Sequence, residues 1–407
     1  MQNLLIVGTH DNDTVAQMDR CLEAEVGSLG VLCADGHKGY SMPIGGVVGY
    51  RNVVSPSGVG YDIACGNMAV RTTIQEGELT KQDLVAIADE IAARVSFGIG
   101  RVNNEPVDHP VIDIIRQSPV FEQRMLAKLA ADQLGTVGSG NHYVDVLLET
   151  DDGSGAPRHY WVAVHFGSRG FGHRTASMFM NAAVGKSMLD KSHDGEMDAP
   201  PLLIQANSQL GQDYIHAMRI AGDYAYAGRQ EVVAKVLGIM GTQALESVHN
   251  HHNFAWQEHH FGEDLWVIRK GATPAFPNQR GFIGGSMGDY SVIIKGVDSP
   301  DAEAMLYSTV HGAGRVMSRR KAAGKTRYAH GKRIQLTPGL VDFAKVQQDM
   351  ADNGIILRGA GADEAPEVYR PLMDVLGHHA GTIEVEDVLM PVIVVMAGAD
   401  VEDPYKD

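Results

Sequence analysis

One seven-residue segment, Gly60-Tyr61-Asp62-Ile63-Ala64-Cys65-Gly66, constrains the fold of this 407-residue chain more than any other. A carboxylate and a thiol lie three positions apart between glycines, so a hard and a soft donor can face the same small volume. Matching imidazoles occur far downstream, beside Gly or Asn residues that let the backbone turn, at His142, His165, His252 and His311. If these residues form one site, a single fold must bring positions 62 to 311 together.

The residue types in this set indicate a transition-metal site. Thiolate, imidazole and carboxylate together suit Zn, Mn, Fe or Co, whereas Mg and Ca normally avoid sulfur. Because a thiolate can bridge two cations, Asp62, Cys65 and three of the histidines could supply a pair of metals. The alternatives stay open at this point: each histidine could be a structural residue, and Cys65 could be a small buried hydrophobic residue.

Rival signatures are missing from the sequence. It contains no HExxH, no paired CxxC and no GxxxxGK[ST] loop, so a bound nucleotide must be held by other means. One ExxH occurs, from Glu246 to His249, but a carboxylate-bridged helical site needs a second copy.

Composition predicts a globular protein outside the membrane. The 44% hydrophobic fraction is ample for a core, and 21% charged residues argue against disorder. No apolar run reaches 18 residues, and the first residues do not form a signal peptide. Three cysteines, an odd and sparse set, do not form a disulfide framework, so the cytoplasm is the expected compartment.

Charge is unevenly distributed along the chain. The formal net charge of −16 disfavours broad coating of nucleic acid, yet residues 315–333 contain eight Lys and Arg residues and no acid. This basic segment could be a solvated helix face. Its position directly after His311 favours a phosphate-binding role.

Periodicity predicts a mixture of helices and strands. Helices are expected after Thr80, from Ser118 to a stop at Gly135, and over 208–240, where glycines could interrupt the helix. Strands are expected at 143–148, 160–164, 291–294 and 391–396, and the turn at 151–155 makes the first two hairpin partners. Since the candidate ligands span most of the chain, we expect one α+β domain over residues 1–407.

Eight segments, in order along most of the chain, resemble the RtcB-type RNA-splicing ligases. They are ADGHKGYSMPIGG (34–46), GVGYDIACGNMAVRT (58–72), GSGNHYVDV (138–146), HFGSRG (165–170), HHNFAWQEHHFGE (251–263), RKGA (269–272), GGSMGDYS (284–291) and HGAGRVMSRRKA (311–322).

The resemblance implies a large domain with mixed sheets around a deep cleft that holds two Mn(II) ions. It implies Asp62, Cys65 and His142 as ligands of one ion, and Cys65, His165 and His252 as ligands of the other. It further implies that His311 attacks the α-phosphate of GTP, the co-substrate, and becomes guanylylated. Imidazole is a competent nucleophile near neutral pH, and the adjoining Gly312-Ala313-Gly314 exposes backbone amides to phosphate.

The resemblance also implies a nucleotide pocket. Its expected residues, besides His142, His252 and His311, are Asn141, Tyr143, Val144, Asp145, Asn253, Gly284, Gly285, Ser286, Met287, Ser291, Gly312, Ala313, Gly314 and Lys406. Lys406 matches a C-terminal lysine that reaches guanine, although without the resemblance it would be taken as a frayed tail. Arg169 and Arg315 are candidate phosphate clamps for RNA, because a guanidinium matches phosphate oxygens.

Two positions depart from the family pattern. Asp145 stands where the family commonly has Glu, so one methylene fewer reaches toward the guanine edge. Gly284 replaces a proline that would stiffen its loop. Neither change touches a metal-type residue or His311, but both leave open a relative with altered nucleotide or RNA preference.

The implied activity joins an RNA 3′-phosphate or 2′,3′-cyclic phosphate end to a 5′-hydroxyl end, in RNA repair or tRNA splicing. One alternative is a metal-dependent phosphoesterase that processes RNA ends without ligation. Another is a non-catalytic protein that binds RNA ends, although retention of every metal-type residue and His311 counts against it. The sequence does not identify an activating protein or the oligomeric state.

Overall fold

A computed structural model describes residues 3–191, 197–329, 332–399 and 401 of the protein. The α-helices are α1 (Asn12–Glu23), α2 (Pro56–Val59), α3 (Lys81–Arg94), α4 (Pro110–Arg116), α5 (Phe121–Arg124), α6 (Ala127–Gln133), α7 (Arg169–Ala183), α8 (Gln209–Met240), α9 (Pro300–Ala304), α10 (Arg319–Ala323), α11 (Phe343–Asp352) and α12 (Leu372–Gly377). Two 3₁₀ turns follow β18 at Ala362–Glu364 and Pro366–Val368.

The strands are interspersed among these helices, and the mixture confirms an α+β fold. They are β1 (Leu4–Ile6), β2 (Leu29–His37), β3 (Ile44–Tyr50), β4 (Val53–Val54), β5 (Gly66–Gln75), β6 (Tyr143–Glu149), β7 (His159–Phe166), β8 (Ile204–Gln205), β9 (Ala244–His251), β10 (Asn253–His260), β11 (Glu263–Lys270), β12 (Ala272–Pro274), β13 (Arg280–Ile283), β14 (Ser291–Gly296), β15 (Ser308–Val310), β16 (Thr326–Ala329), β17 (Lys332–Gln335), β18 (Ile356–Ala360) and β19 (Ile383–Gly398).

An eight-stranded sheet positions most of the candidate ligands. Its strands run in the order β13-β14-β19-β6-β7-β5-β9, and β18 pairs in parallel with β19. Gly66, at the start of β5, lies opposite both Phe166 and His251, at the ends of β7 and β9. Tyr143, at the start of β6, lies opposite His165. Strand β5 and strand β6 therefore begin at the sheet edge where β7 and β9 end.

A second sheet closes the cleft from the other side. Its five strands run in the order β1-β2-β3-β11-β10, and only His252 separates β9 of the first sheet from β10 of this one. A two-stranded ribbon, β12 with β15, leads directly into His311. The connections outside the first sheet therefore supply His252 and His311, which do not belong to its strands.

Side chains of β6 alternate between two cores, as expected for a strand covered on both faces. Val144 packs with Val162 and Val232 in one buried cluster. Tyr143 and Leu147 belong to a different cluster on the opposite face, together with Trp161. This alternation directs Tyr143 and Asp145 to the same face and Val144 away from it.

The helix predicted over residues 208–240 is confirmed, and the glycines that could have interrupted it do not. Helix α8 is continuous over 32 residues. A Cβ at Gly222 would lie 3.1 Å from the ring of Phe254, so glycine lets the helix lie close to the neighbouring strands. Packing of this buried face offsets the low helix propensity of glycine, about 1 kcal/mol per residue.

In the described parts of the chain, no helix combines the length and apolarity needed to cross a bilayer.

Other local predictions fare differently. The helix after Thr80 and the β6–β7 hairpin are confirmed. The helix predicted from Ser118 is instead two short helices, α5 and α6, separated near Met125 and Leu126. Local periodicity did not reveal this break, because both pieces present apolar residues at helical spacing.

We predict that Thr80→Ala destabilises the protein by about 1 kcal/mol, since Thr80 and Asp83 form a reciprocal capping box at the start of α3. Urea unfolding would measure the change, and Thr80→Ser, which keeps the hydroxyl acceptor, is the matched control. Equal stability of the alanine variant and the parent protein would contradict the contribution of this cap.

Candidate active site

A cleft of about 640 Å³ opens where the sheet edge, the β9–β10 junction and the β15 ribbon meet. The predicted site residues that line it are Asp62, Cys65, Asn141, His142, Tyr143, Asp145, His165, His252, Asn253, Gly284, Gly285, Ser286, Met287, His311, Gly312, Ala313, Gly314 and Arg315. The fold therefore brings together residues separated by up to 253 positions, from 62 to 315.

Two groups of potential metal ligands share one thiol. Cys65, His165 and His252 form the first group, and Asp62, Cys65 and His142 form the second, with ligand atoms in each group within 4.8 Å of one another. Cys65 Sγ lies 3.2 Å from His165 Nε2 and 3.6 Å from His142 Nε2. His142 Nε2 is also 3.2 Å from Asp62 Oδ2. This is the arrangement that a bridging thiolate requires.

Glycines permit the close approach of these ligands. A Cβ at Gly138 would lie 2.1 Å from His142 Nδ1, and a Cβ at Gly167 would lie 2.2 Å from Asp62 Oδ1. Side chains larger than hydrogen at these two positions would displace the ligands. The glycine-rich surroundings noted in the sequence therefore have a steric reason.

The protonation tendencies of the groups fit cation binding. Burial, followed by the neighbouring imidazoles, lowers the pKa of His165 and of His252 well below the ordinary value, so both rings are neutral, as imidazoles that bind a cation must be. Burial acts to raise the pKa of Asp62, but the hydrogen bond and charge of His142, together with the contributions of Cys65 and Arg169, lower this pKa to about 2. Burial, and then Asp62, raise the pKa of Cys65. A cation that binds the thiolate would displace its proton.

Orphaned polar atoms provide a further test of fit. Within the described residues, Nδ1 of His142 and Nδ1 of His252 are buried and lack a hydrogen-bond partner. Buried polar atoms are normally satisfied, so these nitrogens indicate bound water or a further partner. His142 presents its other nitrogen, Nε2, to Cys65 and Asp62, and the mixed sulfur, nitrogen and oxygen donor set of the two groups fits a pair of transition-metal ions.

Asp35 is a site residue to which the sequence analysis assigned no role. It is fully buried on β2, and its Oδ2 accepts hydrogen bonds from the backbone N of His311 at 3.0 Å and from its ring Nδ1 at 2.7 Å. Burial acts to raise the pKa of Asp35, but the hydrogen bonds and positive charge of His311 lower it overall. Asp35 therefore fixes the tautomer of His311 and leaves Nε2 with its lone pair. An acid inside an otherwise buried strand was the available sequence signal.

The loop expected along the nucleotide is tied to its surroundings. Gly284 forms a backbone bridge with Gly312, and the backbone N of Gly285 donates to Ser291 Oγ at 3.2 Å. Asp289 Oδ2 accepts from the backbone N of Leu372 at 2.8 Å. The loop thus lies beside the segment after His311 even without the proline that the family commonly has there.

Asp145 and Val144 differ in their surroundings. Asp145 lines the cleft, its Oδ1 is buried and has no hydrogen-bond partner among the described residues, and burial raises its pKa well above the ordinary value. The Val144 side chain is fully buried in the core. Only its backbone could contact a nucleotide, and a nucleotide-binding role for either residue remains a prediction.

The arginines predicted to hold phosphate already have protein partners. Arg315 donates to Tyr369 Oη at 2.8 Å and to the Asp363 carbonyl at 2.7 Å, at the rim of the cleft. Arg169 is not among the lining residues and donates to the Gly98 carbonyl at 3.0 Å. Their RNA-binding roles remain predictions. Lys406 lies outside the described residues.

Further residues of the cleft lay outside the predicted set. The most polar of them are His37, Lys38, Tyr40, Glu364 and Tyr369, whereas Arg319, which also lines the cleft, belongs to the basic segment 315–333 for which the sequence favours a phosphate-binding role. Glu364 is buried, and its carboxylate contacts Arg315, Arg319 and the Tyr369 hydroxyl. These residues converge from distant segments, so their spacing in the sequence offered no signal.

Comparisons with known proteins agree with this geometry. The family described as "tRNA-splicing ligase RtcB" matches residues 21–118 and 114–397. The chain is 32% identical to the tRNA-splicing ligase RtcB of Pyrobaculum aerophilum, covering 84% of this chain and 81% of that protein. It is 32% identical to the tRNA-splicing ligase RtcB of Archaeoglobus fulgidus, with 88% and 85% coverage, and 28% identical to the RNA-splicing ligase RtcB of Escherichia coli K12, with 89% and 88% coverage. The chain therefore belongs to the RtcB family.

Proposed function

We propose that this protein is a GTP-dependent RNA ligase that joins 3′-phosphate or 2′,3′-cyclic phosphate ends to 5′-hydroxyl ends. The observation that carries the proposal is the Asp35–His311 pair, which lies beside both groups of potential metal ligands in one cleft. The His311 ring is 4.9 Å from the His252 ring, between centroids. A nucleophile and a cation site would therefore both lie next to the α-phosphate of bound GTP.

Asp62, Cys65 and His142 would hold one Mn(II) ion, and Cys65, His165 and His252 the other. When bound, these cations neutralise triphosphate charge and favour departure of pyrophosphate. The protein contributes neutral imidazoles, an ionised Asp62 and a shared thiol at fixed separations.

His311 would form the covalent intermediate. Its Nδ1–H donates to Asp35, so the Nε2 lone pair attacks the α-phosphate of GTP. A bond forms between Nε2 and phosphorus while the bond from the α-phosphate to the β-phosphate oxygen breaks, releasing pyrophosphate. Asp35 then balances the positive charge on the ring.

The later steps transfer GMP to RNA and seal the ends. A terminal 3′-phosphate, formed by hydrolysis where the end is a cyclic phosphate, attacks the bound GMP and frees His311. The 5′-hydroxyl of the second end then attacks the activated 3′-phosphate, and GMP leaves. Arg315 at the rim would hold RNA phosphate during this exchange.

We further propose that residues 1–407 act as one catalytic domain in the cytoplasm, in RNA repair or tRNA splicing. Residues that line the cleft come from segments between the end of β2 and β19, so no cut between them would preserve the site. All three cysteines are free, in keeping with a reducing compartment.

We predict that Cys65→Ala loses both Mn(II) equivalents and ligation while remaining folded, because both ligand groups share this thiol. Elemental analysis and circular dichroism of the purified protein would measure the two properties. Cys33→Ala is the matched control, since Cys33 is a buried free cysteine outside both groups. Full metal content in the Cys65 variant would rule out the bridging thiolate.

We predict that GTP and Mn(II) add one acid-labile GMP to the protein and that His311→Ala abolishes the addition. Asp35→Asn should slow it by about 100-fold or more, because the ring loses its ionised partner. Intact-protein mass spectrometry would follow both, and His259→Ala, at an exposed histidine, should behave as the parent protein. Labelling that persists in His311→Ala would identify a different nucleophile. A metal-loaded parent protein that neither gains GMP nor ligates would favour the phosphoesterase alternative.

We predict that Asp145→Glu raises discrimination for GTP over ATP by about tenfold, the effect of one additional hydrogen bond to the base. The longer side chain would extend further from β6 into the cleft. Initial rates of self-guanylylation and self-adenylylation would give the ratio. Asp151→Glu, in the exposed turn after β6, should leave it unchanged, and an unchanged ratio in Asp145→Glu would remove Asp145 from base recognition.

A further inference from the structure

Arg229 lies on α8, behind the sheet edge that carries the candidate metal ligands. Its side chain is fully buried. Among the described residues it forms no ion pair with a carboxylate, whereas the other fully buried arginine, Arg269, is paired with Glu258. Burying an unpaired guanidinium is strongly unfavourable unless its hydrogen bonds are well satisfied. The buried charge of Arg229 must therefore be offset by specific hydrogen bonds.

The hydrogen bonds of Arg229 provide that explanation. Its Nη1 donates to the Ala64 carbonyl at 2.9 Å and to the Phe166 carbonyl at 2.6 Å. Its Nε donates to His249 Nε2 at 2.8 Å, and its Nη2 lies 3.0 Å from His251 Nδ1. A guanidinium can only donate, so both ring nitrogens are unprotonated acceptors. Four of the five N–H groups therefore have partners.

Three of these four partners adjoin a residue of the first group. Ala64 precedes Cys65, Phe166 follows His165, and His251 precedes His252. The three segments are the start of β5, the end of β7 and the end of β9. One side chain thus joins the three backbone segments that carry Cys65, His165 and His252. None of its hydrogen bonds goes to Asp62 or His142, the two residues found only in the second group.

Backbone geometry shows why such a tie matters. Ala64 has a φ of +58°, in the left-handed region that is strained for a residue other than glycine. The regular strand pairing ends here, because Cys65 precedes and His252 follows the last paired residues, Gly66 and His251. Beyond this pair, single backbone hydrogen bonds hold the chain, from His252 N to the Cys65 carbonyl at 2.8 Å and from Ala272 N to the His252 carbonyl at 3.2 Å, and Arg229 adds side-chain hydrogen bonds to them.

We propose that Arg229 is a positioning residue that holds Cys65, His165 and His252 at the mutual separations needed by one of the two cations. The inference rests on the proposed metal-dependent function and deepens it, because it assigns the two cation sites different supports. A lysine in place of Arg229 keeps a positive charge but has one nitrogen, which cannot reach three strand ends at once. Positioning and charge can therefore be separated by one substitution.

The experiment is a titration of the metal-free protein with Mn(II) alone, comparing the parent protein, Arg229→Lys and Arg269→Lys. Loss of a residue that orients metal ligands typically lowers affinity by about 10- to 100-fold. We expect Arg229→Lys to weaken by this factor the Mn(II) equivalent that Cys65, His165 and His252 would hold, and to weaken the other by less, because the two groups share only Cys65. Arg269→Lys makes the same chemical change at a fully buried arginine that touches no ligand segment, so it should lower the melting temperature yet keep both affinities.

The possible results discriminate between the inference and the function on which it rests. Two unchanged affinities in Arg229→Lys would overturn the positioning role while leaving the metal centre in place. A parent protein that binds no Mn(II) would overturn the metal centre and this inference with it. Equal weakening in both lysine variants would mean a general loss of structure and would also overturn the inference.

A second variant covers the case in which Arg229→Lys does not fold. His249→Phe removes one acceptor of Arg229, three residues before His252, and leaves the guanidinium and its two carbonyl bonds in place. Weaker binding of one Mn(II) equivalent, by a smaller factor than in Arg229→Lys, is expected. Unchanged binding of both equivalents would overturn the positioning role.

Discussion

Antiparallel pairing of β5 with both β7 and β9 is the constraint on which the site depends. The register places Gly66 opposite Phe166 and His251, so the residues just beyond these positions meet at one sheet edge. A slip of one residue would reverse the facing of every side chain along a strand and separate Cys65 from His165 and His252. Buried side chains on both faces of the sheet oppose such a slip. The packing that stabilises the core therefore also fixes the geometry of the site.

The cleft combines this rigid edge with polar groups that the protein itself leaves unsatisfied. Buried nitrogens of His142 and His252 and a buried oxygen of Asp145 lack hydrogen-bond partners among the described residues. A buried polar atom without a partner destabilises the folded state. Arg229 is the opposite case, since its buried charge forms four hydrogen bonds. Asp35 is intermediate, because its Oδ2 accepts two hydrogen bonds from His311 while its buried Oδ1 has no partner among the described residues. The residues His142, His252 and Asp145, which carry unsatisfied atoms, thus line the cleft where ligands are proposed, whereas the satisfied Arg229 is not among its lining residues.

The two departures noted in the sequence, at Asp145 and Gly284, lie on the wall of the cleft where the nucleotide base is proposed to bind. Asp145 projects from β6 onto the cleft face, and the Gly284–Gly285 loop is held by Ser291 and by its bridge to Gly312. Of the metal-type residues only His142 shares a segment with Asp145, and His311 belongs to a separate one. The two departures therefore leave the metal-type residues and His311 themselves unchanged.

Local signals in the sequence determined the capping box at Thr80, the β6–β7 hairpin and the residue types of the metal groups, because caps, turns and donor chemistry depend on neighbouring residues. Family motifs extended this to His311 and most of the cleft lining. Tertiary structure alone decided that α8 continues through Gly222, that Asp35 pairs with His311, and that Arg229 joins three strand ends. Each of these depends on contacts between residues 20 to 276 positions apart, and chain-local patterns carry no information about which distant partner will lie within hydrogen-bond distance.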